Sequence, residues 1–294
     1  MTFITDMIKG ILIGIANIIP GVSGGTMALS MGIYDKLIGA VSNFLKDWKK
    51  SLITLFPILI GCGVGIVGFT YAIEYLLSEH TFVTCMTFIG LILGGIPVLL
   101  LQLKRKLREC RRSIGLSDVL AFVILFAFAV IMPLLGSDEE VLKTLTATPG
   151  TMVILFFIGI IASATMVIPG VSGSLVLMIL GYYYGILGSI KNFLEALKAF
   201  DIPALSNGFL VLFPFGIGVL LGIFLIAKLI TFLFEKYGIQ TYCAILGLIL
   251  SSPFAIFYNT GLFGKLGDLN IMIILSGVLL AVVGAVITYF VGEK

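Results

Sequence analysis

Charged residues are scarce in this 294-residue chain: 18 are basic, 15 are acidic, and together they make up 11% of the sequence. Apolar residues make up 60% and the mean hydropathy is +1.20, which excludes a soluble globular domain. Apolar runs long enough for a hydrocarbon core of roughly 30 Å recur along the whole length. They are continuous and do not alternate in short pieces, which favours helices over a β-barrel. The sequence therefore predicts an all-α polytopic membrane protein.

Histidine and paired cysteines, the usual resources of metal sites, are also lacking. The single histidine, His80, lies at the end of an apolar run, away from any serine motif. The four cysteines have no paired spacing, which argues against a zinc site or a disulfide framework. We therefore predict no metal, no cofactor and no catalytic residue. The one dense basic run, residues 104–112, is typical of a cytoplasmic loop, so no nucleic-acid partner is expected.

Glycine, by contrast, is abundant at 35 residues, and two glycine-rich segments interrupt apolar runs. The first is Ile15–Thr26, with the sequence IANIIPGVSGGT, and the second is Ala164–Ser174, with the sequence ATMVIPGVSGS. Proline followed by several glycines ends a helix, and non-helical backbone in lipid persists only where it lines a cavity or is covered by protein. Two such breaks in matching positions indicate a transport site.

The two segments belong to an internal duplication. Pro20 matches Pro169 at an offset of 149 residues, and Pro57 matches Pro214 at an offset of 157. Chance similarity between apolar helices does not keep proline, glycine and asparagine in register. We predict two homologous repeats, each a broken or re-entrant helical hairpin followed by three transmembrane helices. The predicted bounds are 1–135 for the first repeat (hairpin 3–45, spans 52–77, 81–103 and 118–135), 136–149 for an external acidic loop, and 150–294 for the second repeat (hairpin 151–197, spans 209–234, 240–258 and 270–291).

The orientation of the repeats depends on the broken segments. If each segment enters and leaves on one side, each half has three crossings and the second half is inverted. If each is one interrupted spanning helix, each half has four crossings and the halves are parallel. We favour inversion because the Pro-Gly-Val-Ser-Gly sequence suits a tight reversal better than a kink. Inversion also places the basic residues 46–50 and 104–112 on the inner face.

Each break begins a new helical segment whose first turn contains small polar residues. The first N–H groups of a helix lack intrahelical partners, and the helix dipole favours an anion at that end. Glycines let an anion approach the backbone, and hydroxyl groups donate hydrogen bonds to it. The alternative is that these residues only cap their own helices and let the hairpins pack closely. The candidate anion-binding residues are Ser23, Gly24, Gly25, Thr26, Ser172, Gly173 and Ser174.

Polar side chains within the apolar runs are further candidates, because a charge in the membrane interior is costly and usually functional. Asn17 precedes the first break, where it either satisfies freed backbone groups or contacts the ligand. The lysines are candidates for holding a phosphate and the carboxylates for taking up a coupling ion. The alternative for these side chains is a position in a solvated arm or extension toward the headgroups. The lysines are Lys9, Lys36 and Lys228, and the carboxylates are Asp35 and Glu74.

The residues around the first break resemble the opening of the bacterial polyprenyl-phosphate transporter family. The resemblance rests on Lys9-Gly10, Gly14–Thr26 and Gly32–Ile38, and Ile168–Ser174 fits the second half of that family. It covers essentially the whole chain. It implies a multi-pass protein of the bacterial cytoplasmic membrane that returns undecaprenyl phosphate from the outer to the inner leaflet for cell-wall polymer synthesis. The partners it implies are the polyprenyl-phosphate lipid and the membrane lipids.

Two other functions remain open from the residues alone. A transporter of a soluble anion would use the same paired helix beginnings but needs a water-filled vestibule instead of a lateral opening to lipid. A membrane polyprenyl-pyrophosphate phosphatase needs clustered carboxylates with arginine or histidine, whereas all four arginines lie in the basic run 104–112. The sequence therefore favours a lipid-phosphate transporter, and no enzymatic activity is expected.

Overall fold

The computed structural model of the protein describes residues 2–19, 22–135 and 145–292. The chain is 86% helical and has no strand within these ranges. Pro20 and Gly21 of the first break, the acidic residues 136–140 and the C-terminal residues 293–294 lie outside the described ranges. The helices are α1 (Thr2–Ile18), α2 (Gly24–Ser30), α3 (Tyr34–Ser42), α4 (Trp48–Glu79), α5 (Thr81–Leu93), α6 (Ile96–Glu109), α7 (Leu116–Leu134), α8 (Pro149–Val167), α9 (Gly173–Ile179), α10 (Tyr183–Ala199), α11 (Ile202–Asn259), a 3₁₀ helix (Leu262–Asp268) and α12 (Ile271–Gly292).

Six helical segments in the described ranges are long and apolar enough to cross a membrane. Their outward faces are apolar, as expected where the solvent is lipid; Leu220, Leu279 and Phe290 are each more than 60% exposed. The all-helical, multi-pass class predicted from composition is therefore confirmed. The six segments are Trp48–Glu79, Thr81–Glu109, Leu116–Leu134, Pro149–Val167, Ile202–Asn259 and Ile271–Val291.

The segment after each break is shorter than the single arm expected from sequence. α2 and α9 each contain seven residues and are followed by a turn and then by α3 or α10. Gly32 and Gly181 form these turns with φ of +67° and +72°, a conformation that side chains with a Cβ rarely adopt. The pair α9 and α10 bends by 109° at this turn. The chain therefore changes direction twice within each predicted hairpin.

One expected span is interrupted, and two others fall within α11. The predicted span 81–103 is interrupted between α5 and α6 at Gly94 and Gly95, where a Cβ on Gly95 would lie 2.3 Å from Cα of Ser30. α11 consists of two helices that meet at a kink, and at 1.5 Å per residue its 58 residues are long enough for two crossings. Its one non-helical residue is Tyr237 (φ −126°, ψ 39°), which lies between the predicted spans 209–234 and 240–258.

The described chain divides into two compact units. Unit 1 comprises residues 1–133, 168–171 and 227–294, and unit 2 comprises residues 134–167 and 172–226. In unit 1, the backbones of α1 and α4 touch. A Cβ on Gly10 would lie 2.3 Å from the carbonyl oxygen of Ile58, and a Cβ on Gly61 would lie 2.1 Å from that of Met7. Small residues at such contacts let membrane helices approach closely.

Unit 2 contains the same contact at the duplicated positions. A Cβ on Gly159 would lie 2.4 Å from the carbonyl oxygen of Phe215, and a Cβ on Gly218 would lie 2.0 Å from that of Phe156. Gly159 follows Gly10 at the offset of 149, and Gly218 follows Gly61 at the offset of 157. The helix beginnings at the breaks also recur, since α2 starts at Gly24 and α9 at Gly173. The duplication read from sequence thus corresponds to repeated local structure within each unit.

Candidate functional site

The first break is closed by an asparagine that bridges its two arms. α1 ends at Ile18, Ser23 has an extended backbone (φ −99°, ψ 133°), and α2 begins at Gly24. The Gly24 N–H donates to Oδ1 of Asn17 over 3.1 Å. Asn17 therefore satisfies one of the backbone donors that the break frees, which is one of the two roles predicted for it. A Cβ on Gly24 would lie 2.6 Å from the same oxygen, so a side chain at this position would displace the Asn17 amide.

Ser23 lies at the N-cap of α2 without capping it. Its side chain is only 6% exposed, and its Oγ has no hydrogen-bond partner among the residues that the structure describes. A buried hydroxyl without a partner costs about 1–3 kcal/mol, and most buried polar groups in proteins avoid that cost. Ser23 thus places a buried hydroxyl without a described hydrogen-bond partner at the break.

Thr26 joins the first broken segment to the second. Its Oγ1 accepts a hydrogen bond of 2.6 Å from the N–H of Gly170, a residue of the second Pro-Gly-Val-Ser-Gly motif that belongs to unit 1. Thr26 is 1% exposed, so its hydroxyl is committed to this contact. Gly170 has φ +80°, and a Cβ there would lie 2.8 Å from the carbonyl oxygen of Leu248. The residue that matches Thr26 in the second repeat is Leu175, so this bond has no reciprocal partner.

Thr26→Val tests this contact, because valine keeps the side-chain shape but removes the acceptor for the Gly170 N–H. We expect the free energy of unfolding to fall by about 1–2 kcal/mol and amide hydrogen exchange around Gly170 to accelerate. Thermal unfolding in detergent micelles and exchange followed by mass spectrometry measure both effects. Thr87→Val is the control, since the Thr87 hydroxyl bonds to the Val83 carbonyl within its own helix. Unchanged exchange at Gly170 would contradict the assignment.

The second break has a different polar pattern. Ser172 occupies the N-cap of α9 (φ −96°, ψ 121°) without capping it, and its Oγ lies 2.8 Å from Oγ of Ser174. Ser174 is exposed, whereas Gly173 is buried and a Cβ on it would lie 2.2 Å from Cγ of Met166. Met166 stands where the first repeat has Asn17, so the amide cap is present in the first break only.

The dipole contribution at both breaks is smaller than the sequence suggested. The expectation rested on long outgoing helices, but α2 and α9 end after seven residues because the chain turns at Gly32 and Gly181. A macrodipole sums over aligned peptide units, so two turns contribute less than a full helix. Any attraction of an anion to the breaks would therefore depend more on hydroxyl groups and charged side chains than on helix polarity.

Two of the candidate lysines lie in one cluster with an aspartate that the sequence analysis missed. Lys9 is 5% exposed, and its Nζ donates to the carbonyl of Met31 over 2.8 Å. Lys36 forms an ion pair with Asp6, which is 7% exposed. Asp6 and Lys9 are one turn apart on α1, and this i, i+3 spacing of opposite charges in an apolar helix is the signal that could have identified Asp6.

The other charged candidates lie apart from this cluster. Asp35 lines an open cavity of about 310 Å³ together with Lys106, Glu235 and Tyr242. Lys228 and Glu74 are exposed on α11 and α4. These positions agree with side chains at the protein surface, the alternative that the sequence left open for them. The structure thus brings together Lys9 and Lys36 but leaves the two predicted coupling carboxylates outside that cluster.

Comparison with known proteins identifies the family. A family described as undecaprenyl phosphate translocase-like has a sequence model that matches residues 13–261. The chain belongs to this family. The resemblance to polyprenyl-phosphate transporters is thereby confirmed, and the match spans both broken segments.

Two relatives of this chain are both named polyprenyl-phosphate transporter. A polyprenyl-phosphate transporter of Staphylococcus aureus (strain NCTC 8325 / PS 47) is 29% identical over 254 residues, covering 86% of this chain and 85% of the relative. A polyprenyl-phosphate transporter of Vibrio cholerae serotype O1 (strain ATCC 39315 / El Tor Inaba N16961) is 30% identical over 271 residues, covering 86% and 77%. No solved structure matches the chain significantly.

Proposed function

We propose that this protein moves undecaprenyl phosphate across the bacterial cytoplasmic membrane and so recycles the lipid carrier for cell-wall polymer synthesis. The observation that carries the proposal is the family match, which covers both breaks in a multi-pass helical protein. The headgroup is a small anion, and its apolar tail can stay in lipid while the head crosses. An unshielded phosphate in hydrocarbon would be far too costly, so transport needs a polar path for the head.

The geometry of the first break supplies one element of such a path. Within the described part of the chain, Ser23 is a buried hydroxyl donor without a hydrogen-bond partner, and Gly24 and Gly25 beside it carry no side chain. A phosphate oxygen would accept from this hydroxyl in a charge-assisted hydrogen bond, which is stronger than a neutral one. Ser172, Gly173 and Ser174 are proposed to serve the headgroup at the second break.

We further propose that each broken segment is a re-entrant hairpin and that the two halves are inverted. The repeated glycine contacts and the matching starts of α2 and α9 support two equivalent hairpins. Inverted halves provide two related arrangements, each open to one side of the membrane. Asp35 and Glu74 remain the carboxylates proposed to take up a coupling ion. Lys228 remains a lysine proposed to contact the phosphate.

Transport of the lipid by purified protein tests the function. The protein is reconstituted in liposomes with a fluorescent polyprenyl phosphate, and a membrane-impermeant quencher reports how fast the probe changes leaflet. Native protein should accelerate exchange of this probe and not of fluorescent phosphatidylcholine. Ser23→Ala should slow exchange about tenfold, the loss expected for one charge-assisted hydrogen bond. Ser172→Ala should slow it as well.

The stability of the same variants separates a binding role from a structural one. Ser23→Ala removes a hydroxyl that bonds to nothing in the described protein, so its melting temperature in micelles should stay equal or rise. Ser163→Ala is the matched control, since Ser163 is 1% exposed but bonds to the Ile160 carbonyl of its own helix. That control should exchange lipid at the native rate. Exchange no faster than in protein-free liposomes would refute the proposed function.

A further inference from the structure

A partly buried charged cluster connects α1 to the segment after the first break. Asp6 and Lys9 lie one turn apart on α1 and are 7% and 5% exposed. Lys36, in the first turn of α3, reaches back to form an ion pair with Asp6, and Lys9 donates to the carbonyl of Met31, just after α2. Three charged side chains within an apolar helical bundle are costly, and such groups are generally retained for function.

The charge of the cluster does not balance. The ammonium groups of Lys9 and Lys36 contribute +2 and the Asp6 carboxylate contributes −1, so the three side chains carry +1. Lys9 uses a neutral backbone carbonyl as its hydrogen-bond partner. The neighbouring Asp35 lines the separate cavity with Lys106 and Glu235. The excess positive charge is therefore complementary to a phosphate monoanion.

Lys36 is the exposed member of the cluster. The Lys36 side chain is 39% exposed, whereas that of Asp6 is 11% exposed. An incoming anion would therefore meet the Lys36 ammonium first, while Asp6 stays behind it on α1. Asp6 and an anion would compete for the Lys36 ammonium, so binding of the anion would displace Asp6.

The second repeat forms the matching helix contact without these charges. At the offset of 149, Asp6 corresponds to Leu155, Lys9 to Ile158 and Lys36 to Gly185. Leu155 and Ile158 are buried in an apolar cluster with Ile186 and Val211. The glycine contact between the first helix and the long helix is nevertheless the same in both units. Hydrophobic packing thus builds the same local structure without charges, so stability alone gives no reason for Asp6, Lys9 and Lys36.

We propose that Asp6, Lys9 and Lys36 form a phosphate-monoester site present in the first repeat only, where the phosphate replaces Asp6 as the partner of Lys36. This rests on the proposed function and names a residue, Asp6, that acts as an internal competitor. While the phosphate is bound, Lys9, one turn away, supplies the compensating positive charge for Asp6. Competition by Asp6 keeps binding reversible, as a transporter requires, because its ligand must also leave.

Binding measurements on purified protein in detergent micelles test the site. The probes are geranylgeranyl phosphate, geranylgeraniol as its uncharged counterpart, and inorganic phosphate as the free anion. Lys36→Gln should weaken geranylgeranyl phosphate binding at least tenfold, whereas Asp6→Asn should tighten it several-fold while slowing leaflet exchange. Lys46→Gln, at an exposed lysine outside the cluster, should bind as the native protein does. If the site binds a lipid headgroup, both geranylgeraniol and inorganic phosphate should bind weakly. If inorganic phosphate binds as tightly as geranylgeranyl phosphate, the site is a free-anion site and the lipid assignment is overturned.

A variant that carries the residues of the second repeat distinguishes a loss of phosphate binding from a loss of folding. Asp6→Leu with Lys9→Ile and Lys36→Gly installs the residues found at Leu155, Ile158 and Gly185, so it should fold with native-like melting and lose most phosphate binding. Native affinity in both this variant and Lys36→Gln, or weaker binding in Asp6→Asn, would overturn the site. If native protein exchanges the lipid while these variants bind normally, only this inference fails. If native protein exchanges no lipid, the proposed function itself fails.

Discussion

Gly61→Leu is expected to prevent stable folding, because it inserts a side chain where two helix backbones already touch. A Cβ at residue 61 would lie 2.1 Å from the carbonyl oxygen of Met7 and 3.0 Å from the backbone nitrogen of Ile11. The obstructing atoms are backbone, so α1 and α4 would have to separate along their contact. Overpacking a core costs about 1–3 kcal/mol even where side chains can adjust, and here we expect about 3 kcal/mol or more. Yield of monodisperse protein and its melting temperature in micelles measure the effect.

Gly63→Leu is the control for this substitution, two residues along the same helix. Gly63 is exposed, and a Cβ there would meet no atom within 4 Å. A leucine facing lipid should leave yield and melting temperature close to native. Gly218→Leu should behave like Gly61→Leu, since its Cβ would lie 2.0 Å from the carbonyl oxygen of Phe156 in the matching contact of unit 2. Equal melting temperatures for Gly61→Leu and Gly63→Leu would contradict the described helix contact.

Arg112→Met is expected to cost about 3 kcal/mol of unfolding free energy, because it strands a buried carboxylate. Asp118, in the first turn of α7, is fully buried; Nη2 of Arg112 donates to its Oδ1 over 2.6 Å, and the Gly115 N–H donates to its Oδ2 over 2.8 Å. Without Arg112, only the backbone donor remains for a negative charge out of contact with water. Thermal unfolding of Arg112→Met and of the native protein in micelles measures the loss.

The opposite half of the pair should matter less. Asp118→Asn leaves the Arg112 side chain, which is 39% exposed and still solvated, so we expect a loss of about 1 kcal/mol. Arg108→Met is the control at an exposed arginine of the same basic run and should melt as the native protein does. A larger loss for Asp118→Asn than for Arg112→Met would show that the buried carboxylate does not depend on its arginine.

Sequence reasoning located the two breaks because they depend on local chemistry, and the predicted duplication agrees with the repeated glycine contacts. Proline and glycine end helices wherever they occur, and their register survives in two copies. It missed Asp6 and the contact between Thr26 and Gly170, because each depends on a partner distant in sequence: Asp6 pairs with Lys36 across the break, and Thr26 meets a backbone group 144 residues away. A local sequence pattern does not reveal contacts between residues so far apart in the chain.

The lengths of the outgoing arms were misjudged for a related reason. The apolar run from Thr26 to Leu45 predicts one helix, but Gly32 adopts a positive φ that the run does not reveal. The same applies at Gly94 and Gly95, where glycine serves close approach to Ala285 and Ser30. A glycine inside an apolar run signals either packing or a turn, and the neighbouring elements decide which.

The backbone contact between α1 and α4 also limits how the protein can move. Four glycines, Gly10, Gly14, Gly61 and Gly65, face backbone atoms of the opposite helix at distances that leave no space for any side chain. Sliding one helix along the other would replace a glycine by a bulkier neighbour at each crossing, so these helices are locked against translation. Rearrangement in unit 1 during a transport cycle should therefore carry α1 and α4 as a single rigid piece, with Gly32 as the pivot for the short helices beside them.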